Sequence, residues 1–220
     1  MLSKNKRFLF IHVIKTAGTS MREVLFPFAS AQHAKGDHAT VADYQHLLGP
    51  AYKGFFSFGF VRNPYDWLVS TYEYIRSDTD HHEHAIVSEL TFAEFIERCI
   101  AQGSLKQSDW LYYEGEIGVD FVGRFETLEA DFDLVRRALN LRARLSHRLE
   151  SKGRRPWQDY YTPETQSIVQ DVWADDFRNF GYSTALDGQE PEDLAELHHM
   201  TNPRQRMQEI EHISSLLRAG

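Results

Sequence analysis

The chain has 220 residues, 42% of them hydrophobic and 13% aromatic, with a formal net charge of -8. That is enough apolar material for one full core, and the acidic balance argues against a general nucleic-acid binder. A single cysteine excludes an intramolecular disulfide framework and a multi-cysteine zinc site, and no apolar run approaches the ~20 residues of a membrane span.

The N-terminal "MLSKNKRFLFIHV" is basic and then apolar. Its apolar part is short and lacks a small-residue cleavage site, so it reads as mature sequence of a cytoplasmic protein. Phe8 to Val13 is predicted to be a buried strand and Thr19 to Leu25 a helix, with Pro27 soon after its end. "ATVADYQHLLG" has apolar residues at helical spacing and closes on Gly49. "GFFSFGFV", residues 54 to 61, reads as a central strand. Pro64 then starts a helix to about Arg76, at a position where its missing N–H costs nothing. "SDTDHHEHA" is a polar loop, and "TFAEFIERCIA" a helix with Thr91 as N-cap and Cys99 as a core thiol. Phe121 to Arg124 is a short strand before the helix "LEADFDLVRRAL". "TPETQSIVQDVWADDFRNFG" is predicted as one helix to about Asp176. Residues 191 to 218 read as one or two surface helices interrupted at Pro203. Strands alternating with helices predict an α/β fold, a central parallel β-sheet flanked by helices, with ligands at the carboxyl ends of the strands.

Three segments carry candidate chemistry. In "IKTAGTS" a strand runs into a lysine, hydroxyl residues and a glycine. Gly18 allows close backbone approach, and the N–H groups of Thr19, Ser20 and Met21 stand at a helix start, a geometry that binds anionic oxygens. Lys15 adds charge, and Thr16, Thr19 and Ser20 add hydroxyls. The lysine precedes the glycine, so this is not GxxxxGK[ST]. A plain strand-to-helix turn with an extended lysine fits the same residues. In "FGFVRNPYDWLVSTY", Arg62 ends a strand and Ser70 lies two helical turns on. A planar fork beside a hydroxyl suits a phosphate, while pairing of Arg62 with Asp66 is the plainer reading. "SKGRRP", residues 151 to 156, lies in a stretch, 136 to 155, with eight Lys/Arg and one acidic residue. It fits an anion-binding loop or a solvated helix face and loop.

These segments resemble those of sulfotransferases that use 3'-phosphoadenosine 5'-phosphosulfate, PAPS. "HVIKTAGTS" resembles their 5'-phosphosulfate loop and "FVRNPYDWLVSTY" their 3'-phosphate motif. "FVGRFETLEADF" and "DYYTPETQSIVQDVWADDFRNFGY" resemble later segments of the carbohydrate-type members. "SKGRRP" looks like the nucleotide loop of heparan N-sulfotransferase domains. Ile14 stands where the family commonly has proline, and Trp67 where many members have arginine. The resemblance spans about residues 8 to 182. It implies a P-loop-like sulfotransferase domain over 1–182, with 183–220 a helical extension packed on or covering it. It also implies that Lys15 contacts the bridging oxygen between phosphate and sulfate. Thr16, Ala17, Gly18, Thr19 and Ser20 would cradle the 5'-phosphate, Arg62 and Ser70 would take the 3'-phosphate, and Lys152, Gly153 and Arg154 would close over it.

Sulfuryl transfer also needs a base for the acceptor, and histidine has a suitable pKa. His38, before a helix and after an expected short second strand, is the first candidate, where related members place a histidine facing the acceptor. His33 is the second, and Glu23 or Asp37 the carboxylate alternatives. His12 is expected to be a core histidine beneath the loop, and His81, His82 and His84 a solvent-exposed tract rather than a metal cluster. No metal is required if lysine and amides supply the positive charge. The acceptor is expected to be a small molecule or glycan hydroxyl or amine, on the side lined by residues 77 to 118 and 183 to 220. Trp110, Tyr112 and Tyr113 are candidates for stacking on it, or are ordinary core aromatics. Two other classes fit less well: a kinase-like phosphoryl transferase, which lacks the Walker lysine, and a PAP-binding protein without catalysis.

Overall fold

The computed structural model describes residues 1–30, 38–145, 155–186 and 202–219 of the chain. They fall into two compact units. One comprises Met1–Val61, Asp109–Glu150 and His198–Gly220; the other comprises Arg62–Ser108 and Ser151–Leu197.

The first unit is built on a four-stranded sheet of β1 (Leu2–Ser3), β2 (Phe8–Ile11), β3 (Phe56–Val61) and β6 (Phe121–Arg124), in the order β1-β2-β3-β6. β2, β3 and β6 run parallel, and β1 is an antiparallel edge. Period-two alternation puts Phe8 and Phe10, Phe56, Phe58 and Phe60, and Phe121 on one face. Their rings interlock: Phe58 lies 5.4 Å from both Phe10 and Phe56, and 6.0 Å from Phe8. Phe60 needs the space above Gly123, where an added Cβ would come within 2.2 Å of its ring. Helices α1 (Gly18–Leu25) and α7 (Leu128–Ala138) cover this aromatic face with Met21, Val24, Leu25, Leu128, Phe132 and Val135. On the other face the Leu111 side chain packs over Gly59, at the end of α6 (Ser108–Leu111). All six residues of β3 are buried, which is why it reads as an unbroken apolar run.

Two sequence expectations change here. β2 stops at Ile11, short of Val13, and the carbonyl of the next residue, His12, accepts a hydrogen bond from His38. The C-terminal helix, Pro203–Ala219, is more than a surface element: Met207 and Ile210 are buried in the core cluster. Its Arg206 bridges the Asp120 carboxylate and the Lys53 carbonyl, each at 2.8 Å. Asp120 in turn accepts from the Ser57 N–H at 2.8 Å and hydroxyl at 2.9 Å. Helix α2 (Val41–Leu48) starts with a Thr40–Asp43 capping box and ends on Gly49 as expected. A small hairpin, β4 (Tyr112–Tyr113) and β5 (Glu116–Ile117), completes the unit.

The second unit contains α3 (Pro64–Ser77), α4 (His84–Val87), α5 (Phe92–Ala101), a 3-10 turn (Trp157–Tyr160), α8 (Pro163–Val172) and α9 (Ala174–Phe180). Asn63 caps α3 through the Tyr65 N–H, and Thr91 and Thr162 cap α5 and α8 in capping boxes. The single helix expected to Asp176 is two helices that meet at Trp173. The apolar pattern runs through the junction, since Val169, Trp173, Phe177 and Phe180 are all buried, so periodicity does not reveal it. Aromatic rings form much of this unit's interior: Tyr65 lies 4.8 Å from both Tyr161 and Phe177, and stacks on Trp157 at 5.7 Å. The polar stretch 77–85 is a series of hydrogen-bonded turns that runs into α4.

Candidate functional site

In the first unit, the segment after β2 adopts an unusual backbone. Lys15 and Ala17 have φ of 61° and 65°, while Thr16 between them and Gly18 after them do not turn to positive φ. Left-handed conformation costs a residue with a Cβ roughly 1–2 kcal/mol, so two such residues in one turn mark a shape the fold imposes. Alternating backbone handedness turns successive amides toward one side, the concave "nest" that receives anions. The nest leads directly into α1. Its N-cap, Ala17, makes no side-chain capping bond, so the cap supplies no side-chain acceptor to the first-turn amides of Gly18, Thr19 and Ser20. The positive end of the helix is therefore presented by backbone N–H groups.

The loop residues divide their roles differently from the sequence expectation. The Thr16 hydroxyl is fully buried and donates to the Val13 carbonyl at 2.9 Å. It braces the turn, and what Thr16 can offer an anion is its amide. The Met21 N–H, expected to be a donor at the helix start, is taken by the Ala17 carbonyl at 3.2 Å. Thr19 is exposed, Ser20 buried and Lys15 half-buried. Gly18 is needed for a neighbour inside the protein. A Cβ there would lie 1.7 Å from Nε2 of His12.

His12 is buried as expected, and its ring stacks on Phe10 at 5.7 Å. Its other neighbour is His38, with ring centroids 4.5 Å apart. Nδ1 of His38 lies 3.1 Å from the His12 carbonyl oxygen. A carbonyl only accepts, so Nδ1 carries the proton and Nε2 of the neutral ring keeps its lone pair. The Trp110 indole N–H donates to the His38 carbonyl at 3.2 Å. His38 itself is exposed. The structure thus brings the loop, His12 and His38 together. Trp110, one of the aromatics weighed for acceptor stacking, is a buried support for His38. Tyr113 lies 5.8 Å edge-on from His46 and shares an open pocket with Gln45, Pro50, Tyr52 and Lys53, while Tyr112 pairs with Ile117 in the hairpin. Glu23 is exposed on α1. His33, Asp37 and the short second strand expected before His38 lie outside the described residues, as do Lys152, Gly153 and Arg154.

In the second unit, Arg62 is directed at Asp66. Its Nε and Nη2 reach Oδ2 at 2.7 and 2.6 Å, and both residues are buried. Asp66 and Ser70 are four residues apart on α3, hence on one helix face, and Ser70 is buried as well. The Arg62 backbone is held by a residue that no sequence signal singled out. The Gln107 side-chain amide accepts from the Arg62 N–H and donates to the Arg62 carbonyl, both at 2.8 Å. This imitates one step of a strand ladder. Gln107 is fixed in turn by Asp176, whose carboxylate, fully buried, accepts from the N–H groups of Gln107 and Ser108 at 2.7 and 3.0 Å. Residues 107 and 176 are far apart in sequence and each looks like an ordinary surface polar group, so only the folded contact reveals them.

The end of the basic segment is anchored. Arg155 stacks on the Tyr160 ring, 3.9 Å from its centroid. The Tyr161 hydroxyl donates to the Tyr65 carbonyl at 2.9 Å, and burial pushes its pKa well above the ordinary tyrosine range, so it stays a donor. Trp67 is buried on α3. Cys99, expected in the core, is half-buried on α5, and desolvation, with the Glu83 charge nearby, pushes its thiol up to about 12. His81 and His82 stack at 4.5 Å, and His84 Nδ1 donates to the Ile75 carbonyl at 3.0 Å. Among the described residues no group of three His, Cys, Asp or Glu side chains is arranged to hold a metal ion. No described helix is long and apolar enough to cross a membrane.

No curated protein and no solved structure matches the chain. The sulfotransferase family matches residues 1–183, a span that contains the nest before α1, His38, the Arg62 segment and the Gln107–Asp176 contact. With that match over most of its length, the chain belongs to the sulfotransferase family.

Proposed function

We propose that the protein transfers the sulfuryl group of PAPS to a hydroxyl or amine of a carbohydrate or other small acceptor, releasing PAP. The observation that carries this reading is the nest at residues 15–18 running into a helix start without a side-chain cap. The amides of this turn and the Lys15 ammonium would receive the phosphosulfate. They would stabilise the charge left on the phosphate as its bond to sulfur breaks. Nε2 of His38 would take the proton of the acceptor as the new bond to sulfur forms, consistent with the tautomer set by the His12 carbonyl. Arg62, Ser70 and the segment 152–154 would hold the 3'-phosphate, with the guanidinium exchanging Asp66 for that group. Tyr113 and the pocket around it are candidates for the acceptor side.

Thermal unfolding without magnesium tests the nucleotide assignment. PAP at 100 times its Kd should stabilise the protein by about 2.7 kcal/mol, and ATP at the same concentration much less, because it lacks the 3'-phosphate. Equal stabilisation by the two nucleotides would remove the basis for a PAPS donor and favour a phosphoryl transferase.

A further inference from the structure

We infer that His12 is a positioning residue for His38, and that Gly18 is a glycine because the His12 ring fills the space above it. The inference rests on the reading of His38 as the base. Three independent contacts meet on His12. Its carbonyl fixes which nitrogen of His38 carries the proton. Its ring packs at a tilt against the His38 ring, with centroids 4.5 Å apart, while stacking on Phe10 at 5.7 Å. The same ring lies so close to Gly18 that a Cβ would come within 2.0 Å of two of its atoms. His38 is exposed. Its main-chain carbonyl is held by Trp110 and its ring by His12. The His12 ring therefore joins the start of α1 to the group that would take the acceptor proton, through side-chain packing. Misplacing a reacting group by about 1 Å costs on the order of 10²-fold in rate, so loss of this support should be read in turnover.

The test is a double-mutant cycle of His12→Ala and Gly18→Ala, with turnover, PAP affinity and the ¹⁵N spectrum of His38 as readouts. In the wild type, the ¹⁵N shifts should show neutral His38 protonated on Nδ1; protonation on Nε2 would overturn the inference without any variant. His12→Ala should lower kcat at least 10-fold and leave the PAP Kd within about threefold, while His38 stays protonated on Nδ1, because the main-chain carbonyl of residue 12 remains and only the ring support is lost. Gly18→Ala should be damaging alone, yet cost less than about twofold more once the His12 ring is gone. An unchanged kcat in His12→Ala would overturn the positioning role. An equal penalty for Gly18→Ala in both backgrounds would show that the anion, not His12, demands glycine. Should His12→Ala not fold, His12→Asn, which retains a planar polar group, replaces it with the same expected outcomes. His38→Ala separates the two claims: full activity there refutes the base assignment, whereas the spectrum and the cycle judge His12 independently.

Discussion

Arg62, just before α3, and Asp66, in its first turn, form a buried ion pair, with Nη2 and Oδ2 separated by 2.6 Å. Breaking a buried pair by removing one partner costs about 3 kcal/mol or more, because a desolvated charge loses its counter-charge. Asp66→Asn should therefore unfold at lower temperature than the wild type. If Arg62 takes the 3'-phosphate, PAP restores a counter-charge, and the PAP-induced rise in Tm should be larger in Asp66→Asn than in the wild type. Equal rises in the two proteins would mean that Arg62 serves only the ion pair.

Lys15 combines a charge with a left-handed backbone, and the two can be separated by substitution. Alanine at this position meets the same backbone penalty, so Lys15→Ala should keep wild-type stability to within ~0.5 kcal/mol. Turnover should still fall roughly 10²-fold or more, as for other lost charge-stabilising donors. Lys15→Gly should be similarly inactive but more stable than Lys15→Ala, by about 1 kcal/mol, since glycine adopts positive φ without cost. Urea denaturation and sulfate-transfer rates on the two variants check both statements. Wild-type turnover in Lys15→Ala would make the loop a structural turn.

The C-terminal helix gives a stability prediction. Ile210 is fully buried in the core cluster, so Ile210→Ala should cost roughly 2–4 kcal/mol and lower the urea midpoint. A surface appendage would instead give a change within about 0.5 kcal/mol.

Much of this fold is legible in the sequence because local signals agree. Thr40, Thr91 and Thr162 each precede a periodic apolar run and each caps a helix, and the phenylalanine alternation marks the sheet face. The loop before α1 could be located because lysine, hydroxyls and glycine cluster within seven residues. Its inner mechanics could not. Nothing local tells whether Gly18 faces a ligand or the His12 ring, or that the Thr16 hydroxyl turns inward to Val13. Gln107 and Asp176 meet only through tertiary contact across 69 residues. The junction at Trp173 is hidden because the buried face continues through it. Met207 and Ile210 sit in a strongly polar stretch, so their burial becomes visible only when the helix is seen against α7 and the sheet.

If His38 takes the acceptor proton during sulfuryl transfer from PAPS, its loss must show in the transfer itself. The most direct measurement is transfer of radiolabelled sulfate from PAPS across a panel of hydroxyl and amine acceptors. Wild type, His38→Ala and His33→Ala would be compared side by side, with PAP affinity determined on the same preparations. The wild type should transfer sulfate, His38→Ala should turn over roughly 10²- to 10⁴-fold more slowly with PAP affinity nearly unchanged, and His33→Ala should stay within a few-fold of wild type. Wild-type turnover in His38→Ala would contradict this role for His38.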